Sequence, residues 1–133
     1  MKKQHAWPEG HWDWPIKVSH KHGVRSGQMI WVGGQCDLTS RGEVRNQGDL
    51  SAQIPNVIAS FGRVLEELGS GLGDLVKLLC FYVNDGSVDE RAFLAMVGKA
   101  LPPGARPDFT TCAIRWIMAY PSLSHSIAGL RRG

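Results

Sequence analysis

The fold is decided by one stretch in the middle of the chain, GDLSAQIPNVIASFGRVLEELG, which covers residues 48–69. Its apolar side chains recur every three or four residues and form one stripe, which predicts an amphipathic helix. The positions of this stripe are Ile54, Val57, Ile58, Phe61, Val64, Leu65 and Leu68. Asp49 or Ser51 can cap the start of the helix, and Gly69 is placed to end it. Pro55 falls in the first two turns, where a missing N–H costs least.

Strand patterns flank this helix on both sides. Upstream, residues 16–35 predict two strands, because Ile16, Val18 and His20 alternate with polar residues and a β-rich run then ends in two glycines. Downstream, the nearly unbroken apolar run DLVKLLCFYVND predicts a central strand. A second helix follows from about Asp89 to Leu101, and TTCAIRWIM and SLSHSIAGL predict two further strands.

The order β-β-α-β-α-β-β predicts an α+β domain with one mixed sheet and two helices packed on one face. The other face of such a sheet needs a cover, which a partner subunit can supply. We expect a single domain over residues 16–133, preceded by an arm, residues 1–15. Since the arm carries three tryptophans, we expect it to pack against the body or a neighbouring subunit.

Composition narrows the classes of function. The 133 residues have 43% hydrophobic content and a net charge of +3, which indicates a globular protein and gives little reason to expect nucleic-acid binding. No apolar run is long enough for a signal peptide or a membrane span. The three cysteines show no CxxC spacing, which favours a reducing, cytoplasmic location over a disulfide framework.

Five segments together resemble a known family. They are GQMIWVGGQ, the helix stretch above, GDLVKLLCFYVND, RPDFTT and SIAGL. In this order they resemble the RidA/YjgF family of enamine/imine deaminases, over roughly Ile16 to Leu130. The matching positions are mostly those of the scaffold, so they specify the fold more strongly than the activity.

The resemblance implies a chorismate-mutase-like fold and a homotrimer with small-molecule clefts between its subunits. It implies hydrolysis of a reactive enamine or imine, such as 2-aminoacrylate, to a keto acid and ammonia, with neither metal nor organic cofactor. In the family an arginine holds the substrate carboxylate, which suits its planar fork of donors. A glutamate on the last strand positions the attacking water.

This chain departs from the family at both charged positions. Phe109 stands at the position of the arginine, or Thr110 if the gap is placed differently, and neither is a cation. Ser126-Ile127-Ala128 replaces the Glu-Ile-Glu run. Arg106 lies three residues before the arginine position, which the extended chain makes about 10 Å, and we expect it in an exposed loop. The predicted ligand-binding positions of the pocket are Gly33, Gly34, Gln35, Phe109, Thr111 and Ser126, with Gly33 replacing the family's serine.

Other side chains are candidates for the missing polar roles. His20 falls where the family pocket passes and is a candidate acid or base. Arg115 shares strand parity with Phe109 and Thr111, and we expect it to be a substitute catalytic cation or else part of an ion pair between subunits. Arg25, near the same turn as His20, is either a ligand-binding cation or an exposed charge.

A metal site is not predicted. His20, His22 and His125 could supply imidazole nitrogens. No carboxylate or cysteine lies at a diagnostic metal-ligand spacing beside them.

Three functions remain open. The chain is a divergent hydrolase or deaminase of a reactive enamine or imine, or a non-deaminating homologue that binds a small metabolite or performs another step in a specialised pathway. The third alternative is a ribonuclease or translation inhibitor. The weak net charge and the lack of a basic stripe oppose that alternative.

Overall fold

A computed structural model describes residues 2–14, 16–17, 19–84 and 86–114. Within these ranges it contains five strands and two α-helices, so the predicted α+β class is confirmed. The elements are β1 (Lys3–Ala6), β2 (Gly23–Ser26), β3 (Met29–Val32), α1 (Leu50–Glu67), a short 3-10 helix (Leu72–Asp74), β4 (Lys77–Val83), α2 (Glu90–Ala100) and β5 (Asp108–Ile114).

The long helix α1 begins and ends where the sequence predicts. The Asp49 carboxylate accepts a hydrogen bond from the Ala52 N–H, which satisfies one of the free donors of the first turn. At the other end Gly69 has a φ of 78°, the left-handed conformation that glycine adopts at low cost. Pro55 lies within the helix. The second helix, α2, is capped in the same way by Asp89, which accepts from the Ala92 N–H.

The described strands form two sheets. Strands β1, β2 and β3 are antiparallel in that order, and β4 pairs in parallel with β5. In the part of the chain that the structure covers, the strands therefore form one antiparallel and one parallel sheet, and the single mixed sheet of the prediction is not confirmed. The predicted strands TTCAIRWIM and SLSHSIAGL extend beyond Ile114, so most of the first and all of the second lie outside the described residues.

The first predicted strand begins later than expected, and one strand was missed. Residues 16, 17, 19 and 20 are not in a strand, and Ile16 is 66% exposed. The strand starts only at Gly23, because β1 and β3, which pair with β2 on its two sides, each offer partners to only four residues, Gly23–Ser26. One of those partners is β1, which lies within the arm and pairs Lys3 with Ser26 and Ala6 with Gly23.

Helix α1 spans both sheets and builds two cores. Its first half packs with α2 on the parallel pair, in a cluster made of Leu50, Ile54, Ile58, Leu78, Tyr82, Phe93, Val97 and Leu101. Its second half packs on the antiparallel sheet, where Val64 and Leu68 meet Ala6. The approach there is close, since a Cβ on Gly23 would lie 2.6 Å from Val64 Cγ1.

The opposite face of the sheets is apolar and uncovered. Side chains alternate along each strand, so residues two apart point to the same face. In β3 the exposed positions are Met29 (59%) and Trp31 (55%), and in β4 they are Leu79 (52%) and Phe81 (44%). Within the described chain, both helices therefore lie on one face, as predicted, and the other face presents large apolar side chains.

Candidate functional site

Between β3 and β4, on the side of α1, the described part of the chain leaves a space of about 1010 Å³. We call it the central cavity. Its walls are largely apolar and include Trp31, Phe61 and Phe81. At one end it meets the arm and the turn that follows β3, and the lining there consists of Trp12, Trp14, His20, His22, Gly33, Gly34, Gln35 and Cys36. Charged side chains along the described lining are few: Lys21, Asp74 and Lys77.

Histidine and tryptophan rings form a cluster at that end. His22 is its centre, and is 1% exposed. Its ring centroid lies 4.3 Å from that of His11, 4.5 Å from those of Trp7 and Trp12, and 5.4 Å from that of His20. We call these five residues the His–Trp cluster. Two of its histidines come from the segment before β2, and the other three members come from the arm.

The side-chain amide of Gln35 connects this cluster to the glycine turn. Its Oε1 lies 2.7 Å from His11 Nε2 and accepts from Trp12 Nε1 at 3.1 Å. Its Nε2 donates to the carbonyl oxygen of Gly33 at 3.0 Å and lies 3.4 Å from His22 Nδ1. Gln35 is 2% exposed, so these contacts are made out of water, where hydrogen bonds are strongest.

Burial keeps the two inner histidines neutral. It is the largest cause that lowers the pKa of His22 to about 4, and the nearby His11 lowers it further. Burial also lowers the pKa of His11, and the positive charge of Arg63 acts in the same direction, whereas the hydrogen bond that His11 donates to Gln35 raises it. Both ring nitrogens of His22 are engaged, since Nε2 also lies 2.9 Å from the Trp12 carbonyl oxygen. His22 therefore has no nitrogen left for a ligand.

His20 differs from His22 in this respect. It lines the central cavity, yet neither of its ring nitrogens has a hydrogen-bond partner among the described residues. The ring is held by packing, at 5.3 Å from the Trp7 ring centroid. A buried polar atom without a partner costs about 1–3 kcal/mol. Both nitrogens are out of contact with solvent, so a ligand or a water molecule supplies the missing hydrogen bond only when the ring moves towards the cavity.

The predicted site residues are only partly brought together. His20, Gly33, Gly34 and Gln35 meet at one end of the central cavity. Arg25 does not join them, since its guanidinium donates to the Leu68 carbonyl oxygen at the end of α1 and to Gly27. Its role is to bind the last carbonyls of the helix, which have no partner within the helix itself.

Phe109 and Thr111 are also elsewhere. Phe109 packs against the helix-facing core with Leu78, and the hydroxyl of Thr111 donates to the Glu90 carboxylate. Neither is among the described residues that line the central cavity. Arg115 and Ser126, with His125, lie outside the described residues. Arg106 is exposed, as expected.

Two polar residues near the cavity were not predicted as functional. Gln53, which lines the cavity, is 3% exposed, and its Oε1 has no partner in the described chain while its Nε2 donates to Asn46. The Asp37 carboxylate accepts from Arg45 Nη2 at 2.9 Å and from Asn46 and Asn56. The polar position of Gln53 within an apolar helix face is the signal that could have revealed it.

The remaining chemistry of the described residues is limited. They contain no group of three or more His, Cys, Asp or Glu side chains arranged to hold a metal ion. Burial raises the pKa of the Cys80 thiol, which lines the cavity, so this cysteine is not a thiolate nucleophile at neutral pH. No helix in the described ranges is long and apolar enough to cross a membrane.

Comparison with known proteins gives the same scaffold. The sequence profile of the family described as endoribonuclease L-PSP matches residues 16–117. A RutC family protein of Pyrococcus abyssi is 26% identical over 85 residues, which are 62% of this chain and 67% of that protein.

Solved structures agree. A Rid family protein of Yersinia pestis, YyfA, has a TM-score of 0.69 at 14% identity, covering 85% of this chain and 86% of its own. A YjgF family protein of Neisseria meningitidis has a TM-score of 0.62 at 18% identity, covering 92% and 87%. At these identities the structures establish the chorismate-mutase-like fold alone. Together with the profile match over most of the sequence, they show that this chain belongs to the endoribonuclease L-PSP family, which is the RidA/YjgF family that its sequence resembles.

Proposed function

We propose that the chain is a divergent hydrolase of a reactive imine or enamine, with His20 at the reacting centre. The observation that carries this proposal is the imidazole of His20, which lines a large apolar cavity with both nitrogens free of partners in the described chain. On the lining of the same cavity the backbone of Gly34 is open, since a Cβ there would meet nothing within 4 Å. An acid–base group next to accessible backbone suits addition of water to a small planar substrate.

The reaction balances without a cofactor. Water adds to the imine carbon, the C=N bond breaks, the water oxygen becomes the carbonyl oxygen, and the protons of the water leave with the nitrogen as ammonia. An enamine first moves one proton to carbon and becomes the imine. His20 can remove a proton from the attacking water and return it to the leaving nitrogen, which contributes about 10²–10⁴-fold in rate.

The substrate class is less anionic than that of a carboxylate-clamping relative. The position aligned with the family arginine is Phe109, which packs in the helix-facing core. At the described end of the cavity near His20 the nearest lining cation is Lys21, whose ammonium lies 5.8 Å from the centre of the Trp7 ring. A bidentate clamp is not formed by a single flexible ammonium. Arg115 remains the proposed alternative cation.

The test is ammonia release from enzymatically generated 2-aminoacrylate and from bulkier, uncharged imines. We expect turnover of uncharged imines to exceed that of 2-aminoacrylate, and His20→Ala to reduce it about 100-fold or more. His5→Ala is the matched control, because His5 is an exposed histidine of β1 away from the cavity. Equal activity of the His20→Ala variant and the wild type would remove His20 from the mechanism.

A non-deaminating binding protein is the second candidate. It is favoured by the loss of the Glu-Ile-Glu run, now Ser126-Ile127-Ala128. Ammonia release from none of the substrates, combined with saturable binding of a small aromatic compound, would support it. RNA binding that weakens steeply with salt would instead support a ribonuclease.

We also propose a cytoplasmic homotrimer that buries the uncovered sheet face. Patches of large exposed apolar side chains mark interfaces in soluble proteins, and Trp31, Leu79 and Phe81 are large apolar side chains exposed on the uncovered face. Sedimentation is expected to give three times the mass of one chain. Phe81→Asp is expected to dissociate the assembly, whereas Ser40→Asp, in an exposed loop, is expected to leave it intact.

A further inference from the structure

The Gln35 amide has an orientation that its neighbours determine. An indole N–H can only donate, so the atom of Gln35 that faces Trp12 Nε1 must be the oxygen. The other amide atom, the nitrogen, then faces the Gly33 carbonyl oxygen, which can only accept. Two neighbours of opposite character thus assign the amide without ambiguity.

The amide in turn assigns both histidine tautomers. Because His11 Nε2 lies 2.7 Å from an acceptor oxygen, it must carry a proton. Because His22 Nδ1 faces the amide nitrogen, a donor, it must carry a lone pair. The proton of His22 is therefore on Nε2, which donates to the Trp12 carbonyl oxygen at 2.9 Å. Both rings are neutral Nε2–H tautomers.

The same contacts hold the peptide of Gly33 from two sides. Its N–H donates to the His22 carbonyl oxygen at 2.8 Å, and its carbonyl accepts from Gln35 Nε2 at 3.0 Å. No side chain of its own restrains this residue, and a Cβ there would find only ordinary contacts, 3.5 Å from the carbonyl oxygens of Lys21 and His22. The position of this cavity wall therefore depends on Gln35 and His22.

We propose that Gln35 is a positioning residue that joins the arm to the glycine turn and so fixes the wall of the central cavity beside His20. The arm supplies two of its four contacts, through His11 and Trp12, and these residues precede the part of the chain that the family profile matches. The arm is therefore part of the site. The effect on catalysis rests on the proposed function, whereas the effect on the turn does not.

The test compares the wild type with Gln35→Glu by NMR. A carboxylate keeps the acceptor for His11 and Trp12, but it replaces the donor with an oxygen. That oxygen repels the Gly33 carbonyl and attracts a proton to His22 Nδ1. We expect the pKa of His22 to rise by roughly 1 to 3 pH units, and the amide resonances of Gly33 and Gly34 to shift.

The charged and titratable neighbours of the cluster are unchanged by this substitution. They are His20 and Asp13 around His22, and Arg63 and Glu67 around His11. Gln53→Glu is the matched control for a buried carboxylate, because Gln53 is equally buried and contacts Asn46 rather than a histidine. It is expected to leave the His22 titration and the Gly33 resonance in place.

A separate measurement needs no variant. The ring nitrogen shifts of the wild-type protein are expected to show the Nε2–H tautomer for both His11 and His22. An Nδ1–H tautomer for His22 would overturn the assignment, even if Gln35→Glu failed to fold.

Turnover separates this proposal from the proposed function. With a substrate that the wild type hydrolyses, Gln35→Glu is expected to lower kcat about 100-fold, since a displacement of about 1 Å has that effect, with a smaller change in KM. Altered NMR signals with unchanged kcat would refute the positioning role. Altered signals in a protein that releases no ammonia would support the junction and reject the hydrolase. Unaltered Gly33 and His22 signals would refute the junction.

Discussion

Mild acid should destabilise this protein through His22. In the folded state its pKa is about 4, against an ordinary value of 6.5, chiefly because the ring is buried. Between pH 4 and pH 6.5, therefore, His22 is protonated in the unfolded chain but not in the folded chain. Stability is at its full value above pH 6.5 and falls as the pH drops towards 4.

The size of the effect follows from the two pKa values. Each pH unit between them corresponds to about 1.4 kcal/mol, so the free energy of unfolding should fall by about 2 kcal/mol between pH 8 and pH 5. Near pH 4 the loss approaches about 3 kcal/mol. His11, whose pKa is also lowered, adds to the loss with the same sign.

Urea unfolding followed by tryptophan fluorescence measures this loss, at one protein concentration because assembly also affects stability. The control is His22→Gln, whose amide nitrogen can still donate to the Trp12 carbonyl oxygen but does not titrate. We expect this variant to be less stable than the wild type at pH 8 and to lose much less of its stability by pH 5.

Two results would refute the reasoning. One is equal stability of the wild type at pH 8 and pH 5, because it would mean that His22 keeps its ordinary pKa in the fold. The other is the same pH dependence in His22→Gln as in the wild type, because another group would then be responsible.

Two further predictions concern packing and the buried carboxylate. Gly23→Ala should lower the free energy of unfolding by about 1–3 kcal/mol, because the new Cβ would lie 2.6 Å from a methyl group of the fully buried Val64. Gly98→Ala, which has open space in α2, should instead stabilise the protein by about 1 kcal/mol. Thermal unfolding measures both variants, and a neutral Gly23→Ala would contradict the prediction. Asp37→Ala should lower the free energy of unfolding in urea by about 2–4 kcal/mol, since it removes the buried acceptor of Arg45 and of two asparagine amides. A loss under about 1 kcal/mol would show that water replaces the carboxylate.

The helices were predictable because their signals are local. The apolar stripe of α1 repeats over five turns, Asp49 provides the cap, and Gly69 adopts the left-handed conformation that the sequence anticipates. The central strand β4 was predictable for a similar reason, as its run of apolar residues leaves few alternatives. In each case the information lies within the segment that folds.

The start of the antiparallel sheet was not predictable in the same way. The alternation of Ile16 and His20 looks like a strand, but pairing in β2 begins at Gly23 and is set by a distant partner, Lys3–Ala6. The arm segment contains no alternation strong enough to identify it. Strand pairing depends on tertiary context more than on local pattern.

The site residues likewise divide into those that the sequence could locate and those that depend on distant contacts. His20 and the turn at Gly33 were located through resemblance, and the structure places them together. The contact of Arg25 with the Leu68 carbonyl oxygen at a helix end was not predictable, because a lone cation in a sequence gives no sign of its partner. The junction at Gln35 was unpredictable, since its four contacts come from segments up to 24 residues away.

The arm is synthesised before the helix that anchors it. The Trp7 N–H bonds to the Glu67 carboxylate, and Arg63 donates to the Glu9 carbonyl oxygen, so both anchors come from the end of α1. On the ribosome, some sixty residues must follow Trp7 before either anchor exists. Until then the indoles of the arm have no helix to pack against. We therefore expect the nascent chain to expose a short tryptophan-rich segment until α1 is made, and transiently exposed apolar surface of this kind favours aggregation.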